Sequence, residues 1–399
     1  MLNISKKGKN MPESPIRKLV PFSEKAKKNG INVLHLNIGQ PDILPPKNVI
    51  KKINNFNIKR VEYSHSAGIE KYRKKLANYY CKLNSSISYT DILITTGGSE
   101  ALSTVLNCIC DPSDEIIIPD PYYANYNGFS NASNVKIKPL LCNIENGFKL
   151  PEINQFEREI TKKTKAIVIC NPGNPTGAVY TLTELQALSK IIKKHNIFLI
   201  ADEVYREFIY DDTKHYSVLE LKNIEQHTII IDSVSKRYSM CGARVGAIVS
   251  KNHDIINTAL KFSQARLSPP KFGQLAAMEA LNTKASYFKK VVKEYDLRRK
   301  TLVYALNKIP GVKCPMPKGA FYCIAELPIP NAENFCRWLL EEFKFQNSTV
   351  MLAPANGFYS KKNMINNQVR IAYVLENKKL QLAIEIIKRG LEEYKRLII

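Results

Sequence analysis

The chain has 399 residues, 44% of them hydrophobic and 24% charged, and carries a formal net charge of +23. That length exceeds what one core usually fills, so a large domain and a smaller one are expected. No apolar run approaches the roughly 18 residues of a membrane span, and the basic N-terminus lacks the apolar stretch of a signal peptide, which together point to a cytoplasmic protein with no membrane partner.

The charge is no argument for nucleic acid. It comes from 45 lysines against 14 arginines, spread along the whole chain. Phosphate and base reading relies on local basic stripes with arginine forks and aromatics, and none is present. Nine cysteines are scattered without a CxxC pair or a Cys/His cluster of zinc spacing, so reduced thiols and no metal are expected.

In chain order, SPIRKLVPFSEKAKKNG (14–30) reads as a helix and is followed by the loop NIGQPD. DILITT (91–96) reads as a strand, with GGSEALSTVLNCIC apolar at helical spacing behind it. Further β-rich runs are EIIIP (115–119), KAIVIC (165–170), FLIAD (198–202), TIIID (228–232) and VGAIVS (245–250), with the helical TELQALSKIIKKHN at 183–196. Strands alternating with helices predict an α/β fold with a mostly parallel central sheet flanked by helices. Continuous apolar runs fit strands covered on both faces. After about residue 295 the pattern changes to a long amphipathic helix, KEYDLRRKTLVYALNKI, and the strands AFYCIAELP and QVRIAYV. The expected division is a large α/β domain at 48–295 and a small α+β domain from 1–47 and 296–399.

Open α/β sheets bind ligands at the carboxyl ends of their strands. After DILITT comes Gly97-Gly98-Ser99-Glu100, two glycines and a hydroxyl opening a helix, which can cradle a phosphate on free N–H groups. It lacks dinucleotide GxGxxG spacing and there is no P-loop. After EIIIP comes Asp120-Pro121-Tyr122-Tyr123, where an aromatic can cover a flat ring. After KAIVIC comes NPGNPTG (171–177), whose prolines and glycines force an irregular backbone around Asn174. FLIAD ends on Asp202, followed by Glu203 and Tyr205. TIIID runs into DSVSKRYSMCGARVG (232–246), with Ser233, Ser235, Lys236 and Arg244. Each feature alone has a plain reading as a turn, a cap or a solvated loop. A flat pyridine with a phosphate arm and an aldehyde needs all of them at once: an amine for an imine, a carboxylate for the ring nitrogen and a phosphate cradle. That ligand is pyridoxal 5'-phosphate.

These motifs in this order resemble the class I aminotransferases of fold type I, on the aspartate aminotransferase-like branch. The resemblance runs from SPIRKL near residue 14 to VRIAYV near 374, through NIGQPD, the VEYSHSAG tyrosine with the helix GIEKYRKKL, TTGGSEA, DPYY, NPGNPTG, ADEVY, SVSKRYSMCGARVG and GAFY. It implies an enzyme that moves an amino group from an L-amino acid, aspartate favoured, to a 2-oxo acid such as 2-oxoglutarate. It implies that Lys236 is the Schiff-base lysine, that Asp202 pairs with the pyridine nitrogen, and that Asn174 and Tyr205 bond the ring hydroxyl, with Lys236, Asp202 and Tyr205 as the catalytic set. Tyr123 would stack on the ring. Gly98, Ser99, Ser233, Ser235 and Arg244 would hold the phosphate, with Glu100 in the same cofactor-binding loop. Tyr63 would reach the phosphate from a neighbouring subunit, which makes a homodimer. Arg370 would take the substrate α-carboxylate beside the Gly39 backbone and Asn174. Two features depart from the pattern. Ala243 stands where a bulky residue often precedes the phosphate arginine, which would reshape the site there. No arginine matches the spacing of one for a second substrate carboxylate; Arg266, in QARLSPP, lies near that segment and reads equally as a substrate contact or a structural residue.

The same residues would serve an aminotransferase for aromatic or small neutral amino acids, or a lyase or synthase that uses this cofactor. A cofactor-binding regulatory module would need a DNA-binding domain, for which the 13 residues before SPIRKL leave no space. A nicotinamide dehydrogenase is disfavoured by the missing fingerprint.

Overall fold

The computed structural model describes residues 2–84, 86–360 and 365–398. Within them the strands are β1 (Asn32–His35), β2 (Ile92–Thr95), β3 (Glu115–Asp120), β4 (Lys136–Leu141), β5 (Thr164–Cys170), β6 (Phe198–Asp202), β7 (Thr228–Ser233), β8 (Gly246–Val249), β9 (Tyr322–Glu326), β10 (Ser348–Met351), β11 (Ala353–Pro354) and β12 (Gln368–Ala372). Seven of them form one sheet in the order β2-β8-β7-β6-β5-β3-β4. β8 runs antiparallel to both β2 and β7, and the other pairs are parallel. The mostly parallel central sheet expected from the strand pattern is therefore present.

Strand pleating explains why both faces of this sheet are apolar. Ile92, Ile94, Ile117, Ile167 and Ile230 point into one core, while Leu93, Ile116, Val168, Ile229 and Ile231 point into another. Successive side chains leave a strand on opposite faces, so an unbroken run of isoleucines covers two layers at once. The helix Leu182–His195 packs on the first face and Gly97–Ile109 on the second. Thr181 caps the former with a reciprocal bond to Glu184, and Asn196 ends it in a left-handed conformation.

A third core brings the two ends of the chain together. It joins Leu19, Leu34 and Leu36 to Phe321, Val350 and Ile387. β1 pairs in parallel with β10, and β12 lies between β11 and β9 in a three-stranded antiparallel sheet.

Three local expectations change. The helix expected over 14–30 begins only at Val20, because Pro21 sits in its first turn and residues 15–19 form turns. β4 was not anticipated: KIKPLL mixes lysines and a proline, which suits its place at the sheet edge. The helix Ala285–Leu306 runs unbroken through the division expected at 295/296. Among the described residues no helix is long and apolar enough to cross a membrane.

Candidate active site

The carboxyl ends of β2, β3, β5, β6 and β7 lie on one edge of the sheet. β8 is reversed, so its amino end joins them there. The loop from β7 to β8 thus begins and ends on the same edge, clamped by the Val234 N–H to the Val245 carbonyl at 3.2 Å. A cavity of about 740 Å³ opens at this edge. Its walls bring together Gly39, Gly98, Ser99, Tyr123, Asn174, Asp202, Tyr205, Ser233, Ser235, Lys236, Arg244 and Arg370, from segments far apart in the chain.

Lys236 lies on the short helix Val234–Arg237, which the Ser233 hydroxyl caps by accepting from the Ser235 N–H. Lys236 Nζ donates to the Gly39 carbonyl at 2.8 Å and lies 3.8 Å from Cys241 Sγ. Burial holds the amine below the usual ammonium range; Arg370 and Arg244 push the same way, against Cys241. Gly39 must be glycine here, because a Cβ would overlap the Tyr322 hydroxyl.

Asp202 ends β6. Its Oδ2 accepts from the Tyr126 hydroxyl at 2.9 Å, and its Oδ1 from the Val204 N–H at 3.4 Å. Burial pushes its pKa up to about 6, against the two hydrogen bonds. A carboxylate held this way gains most from a cation placed beside it.

Arg370 on β12 is 1% exposed. Nη1 donates to Asn174 Oδ1 at 3.2 Å and Nη2 to the Asn37 carbonyl. The guanidinium lies 4.7 Å from the ring centres of both Tyr322 and Phe358. No carboxylate pairs with it among the described residues, and its Nε is buried without a partner. A buried guanidinium in that state is a site for an incoming carboxylate.

The anion cradle lies on the other side. Gly98 and Ser99 are in the first turn of the helix Gly97–Ile109, where N–H groups have no intrahelical partner. The Arg244 guanidinium lies alongside, donating to the Cys241 carbonyl at 3.1 Å. A Cβ on Gly97 would come within 2.6 Å of Arg244 Nη2, so the glycine makes room for the cation. Ser233 and Ser235 line the same end with hydroxyls 2.9 Å apart, and Ser233 also donates to the Val245 carbonyl. On the floor, the Tyr205 and Tyr322 hydroxyls are 2.9 Å apart and Asn174 Nδ2 reaches Tyr205 at 3.5 Å. Asn125 donates to the Tyr123 hydroxyl at 2.8 Å.

Four sequence expectations fall outside the cavity. Glu100 turns away to Arg266 Nε at 2.9 Å and to the Thr96 N–H, because a carboxylate in a first helix turn finds backbone donors and the nearest guanidinium. Arg266 is held by that pair and the Ile94 carbonyl and does not line the cavity. Tyr63 is 75% exposed and away from its own chain's cavity. Ala243 packs against the neighbouring core and does not line the site. Sequence reasoning had given no role to Tyr126, Tyr322 or Asn37. Tyr126 had a signal, since it stands three residues after Tyr123 in the segment that follows β3; Tyr322 lies in the GAFY motif itself.

The residues fit pyridoxal phosphate: a deprotonatable amine, an isolated carboxylate and an anion cradle converge on one cavity, with an unpaired guanidinium opposite. The comparisons agree. The family described as aminotransferase class I and II matches residues 31–387. The aspartate aminotransferase of Bacillus subtilis (strain 168) is 32% identical, over 98% of this chain and 100% of its own. The solved aspartate aminotransferase from Thermus thermophilus with maleate superposes with a TM-score of 0.89 at 27% identity, covering 98% of this chain and 100% of that one. Alanine aminotransferase from Pyrococcus furiosus does so with 0.90 at 27% identity and the same coverage.

Proposed function

This chain belongs to the class I and II aminotransferases, enzymes that use pyridoxal 5'-phosphate, and we propose that it takes its amino group from aspartate and delivers it to 2-oxoglutarate. The observation that carries the site assignment is the convergence of Lys236, Asp202, Arg244 and Arg370 on one cavity. The aspartate preference is supported by relatives named aspartate aminotransferase at about 30% identity over nearly the whole chain.

The cofactor, when bound, supplies an aldehyde carbon that takes up the amino group and an electron-poor ring that accepts charge from the substrate Cα. The chain's own residues do the rest. Asp202 would pair with the ring nitrogen and keep it protonated. Tyr126 and the Val204 N–H hold the carboxylate in place. Asn174 and Tyr205 would bond the ring hydroxyl, Tyr123 would cover the ring, and the helix start at Gly98 and Ser99, with Ser233, Ser235 and Arg244, would hold the phosphate. Arg370 binds the substrate α-carboxylate in its slot between Tyr322 and Phe358, with the Gly39 backbone and Asn174 beside it. That orients the Cα–H bond toward Lys236. The Lys236 amine, whose pKa burial lowers, would take up the Cα proton as a general base and hold it for return.

Tyr63 reaches the phosphate of a neighbouring subunit in a homodimer. This is supported by its exposure and by exposed apolar neighbours: Val61 is 66%, Leu267 50% and Phe272 43% exposed. The segments around Tyr63 and Leu267 are joined by the Ser66 hydroxyl to the Leu267 carbonyl at 2.6 Å. A second reading, a small neutral donor, draws on the likeness to the alanine aminotransferase. Measuring kcat/KM for aspartate, alanine and phenylalanine with 2-oxoglutarate decides between them. Aspartate should lead; a lead for alanine or phenylalanine overturns the aspartate assignment.

A further inference from the structure

We infer that Arg17 is the residue that selects a donor with a second carboxylate. The inference rests on the aspartate reading above and names the group that would carry it.

Charge is unevenly distributed in the cavity. Its walls carry five ionisable side chains, Arg17, Asp202, Lys236, Arg244 and Arg370. Four are basic and one is a carboxylate. Three of the basic groups have tasks: Lys236 reaches the Gly39 carbonyl, Arg244 completes the anion cradle, and Arg370 faces Asn174 and Asn37. Arg17 has no ion pair and no side-chain hydrogen bond among the described residues, although it lines the same space.

Its place relative to Arg370 is fixed through the backbone. The Asn37 side chain donates to the Ile16 carbonyl at 2.8 Å, and the Asn37 carbonyl accepts from Arg370. Asn37 is fully buried, so one rigid residue anchors both arginine-bearing segments. Pro15, just before, packs so closely on Gly357 that a Cβ there would overlap it. The Arg17 side chain itself is exposed and lines the cavity. Tyr123 gives a second sign of proximity. Burial raises its pKa, and Arg370, Arg17 and Arg244 all oppose that, which puts three guanidiniums within electrostatic reach of one hydroxyl.

The chemistry follows from occupancy. An amino acid with its α-carboxylate on Arg370 and its amine toward Lys236 has only the remaining wall for its side chain. A donor ending in a carboxylate meets there the one lining cation without a task, and a guanidinium binds carboxylates well. A neutral side chain leaves Arg17 in water at no cost, so selection acts by gain for the dicarboxylate. Arg266, the other candidate, is committed to Glu100 outside the cavity.

The test uses the cofactor-loaded enzyme and the variants Arg17→Gln and Arg17→Lys, with folding checked by circular dichroism. The dissociation constants of succinate and butyrate, two unreactive acids of equal carbon number, are measured by calorimetry. In parallel, kcat/KM is measured for aspartate and alanine in the single half-reaction, so that the acceptor's own second carboxylate does not enter. Arg17→Gln should weaken succinate about five- to tenfold more than butyrate, and lower the aspartate-to-alanine ratio by a similar factor. Arg17→Lys should keep part of both. If wild type prefers aspartate and succinate but Arg17→Gln changes neither ratio, the dicarboxylate reading stands and Arg17 is overturned as its carrier. If wild type itself favours neither, the aspartate reading fails, and the role of Arg17 fails with it.

Discussion

On the proposed reading, a single amine and a single carboxylate carry most of the chemistry, and each can be tested by substitution. Lys236→Ala should abolish the visible absorption that marks the amine's bond to the cofactor, together with nearly all turnover. Absorption that survives and is fixed by borohydride onto another lysine would sink the assignment. Asp202→Asn keeps the shape and removes the charge. The proton-transfer rate should fall by 10² or more, since an electrostatic contact of this kind supplies about 3 kcal/mol; near-normal turnover would show that the ring nitrogen does without the carboxylate. A second carboxyl group reports on pH. Asp120, at the end of β3, accepts from the Ser360 N–H at 3.2 Å and hydroxyl at 3.0 Å, while its Oδ1 is buried without a partner. Burial raises its pKa to about 6, against those bonds. A raised carboxyl pKa contributes stability that is complete below about pH 4 and lost as pH rises through 6. Asp120→Asn removes that loss, so its melting temperature should match wild type near pH 4 and exceed it at pH 7.5, by up to about 3 kcal/mol in stability. A difference independent of pH would refute the argument. At this scale the sequence was legible where a residue follows a strand: Lys236, Asp202, Asn174 and Arg244 all reach the cavity because strand ends share an edge. Glu100 and Arg266 pair with each other outside the cavity, and Asn37 and Arg17 received no role, because their partners lie far off in the chain and leave no local pattern.

The reversed strand β8 and the helix Gly97–Ile109 form the element on which the anion cradle depends. Gly246 opens β8 against that helix: a Cβ would come within 2.5 Å of the Gly97 carbonyl carbon and 2.7 Å of the Gly98 nitrogen and the Asp232 carbonyl oxygen. These are backbone atoms that cannot rotate away. Gly246→Ala should therefore cost about 1–3 kcal/mol and weaken cofactor binding as the cradle opens. Gly242→Ala, with nothing within 4 Å of its Cβ, should leave the melting temperature unchanged. Equal stability of the two variants would show that the close approach is dispensable. The elements were legible where apolar runs were continuous, as in KAIVIC and TIIID. β4 escaped because an edge strand needs neither full burial nor every ladder bond. The reversal of β8 escaped because direction leaves no mark in a fully apolar strand.

For the whole molecule, the dimer proposal makes a prediction no monomer can meet. Lys236→Ala subunits and Tyr63→Ala subunits are each impaired. Refolded together, they should regain activity above the sum of the two, because the hybrid assembles one site with a native lysine and a native tyrosine from its partner. Additive activity alone would mean that Tyr63 serves its own chain or none. Another consequence lies in the pairing of distant segments. Asn37 waits for Arg370, β1 for β10, and β2 for β8. β12, which carries Arg370, is the middle strand of its sheet, so β9 and β11 have no ladder between them until it arrives. On a ribosome adding residues from the N-terminus, β3, β5, β6 and β7 can pair as they emerge, whereas the carboxylate-binding wall must wait until residues 368–372 leave the exit tunnel. A nascent chain stalled before that point can hold Lys236 and the anion cradle but not Arg370. On the proposed reading, substrate recognition is therefore among the last properties acquired during synthesis.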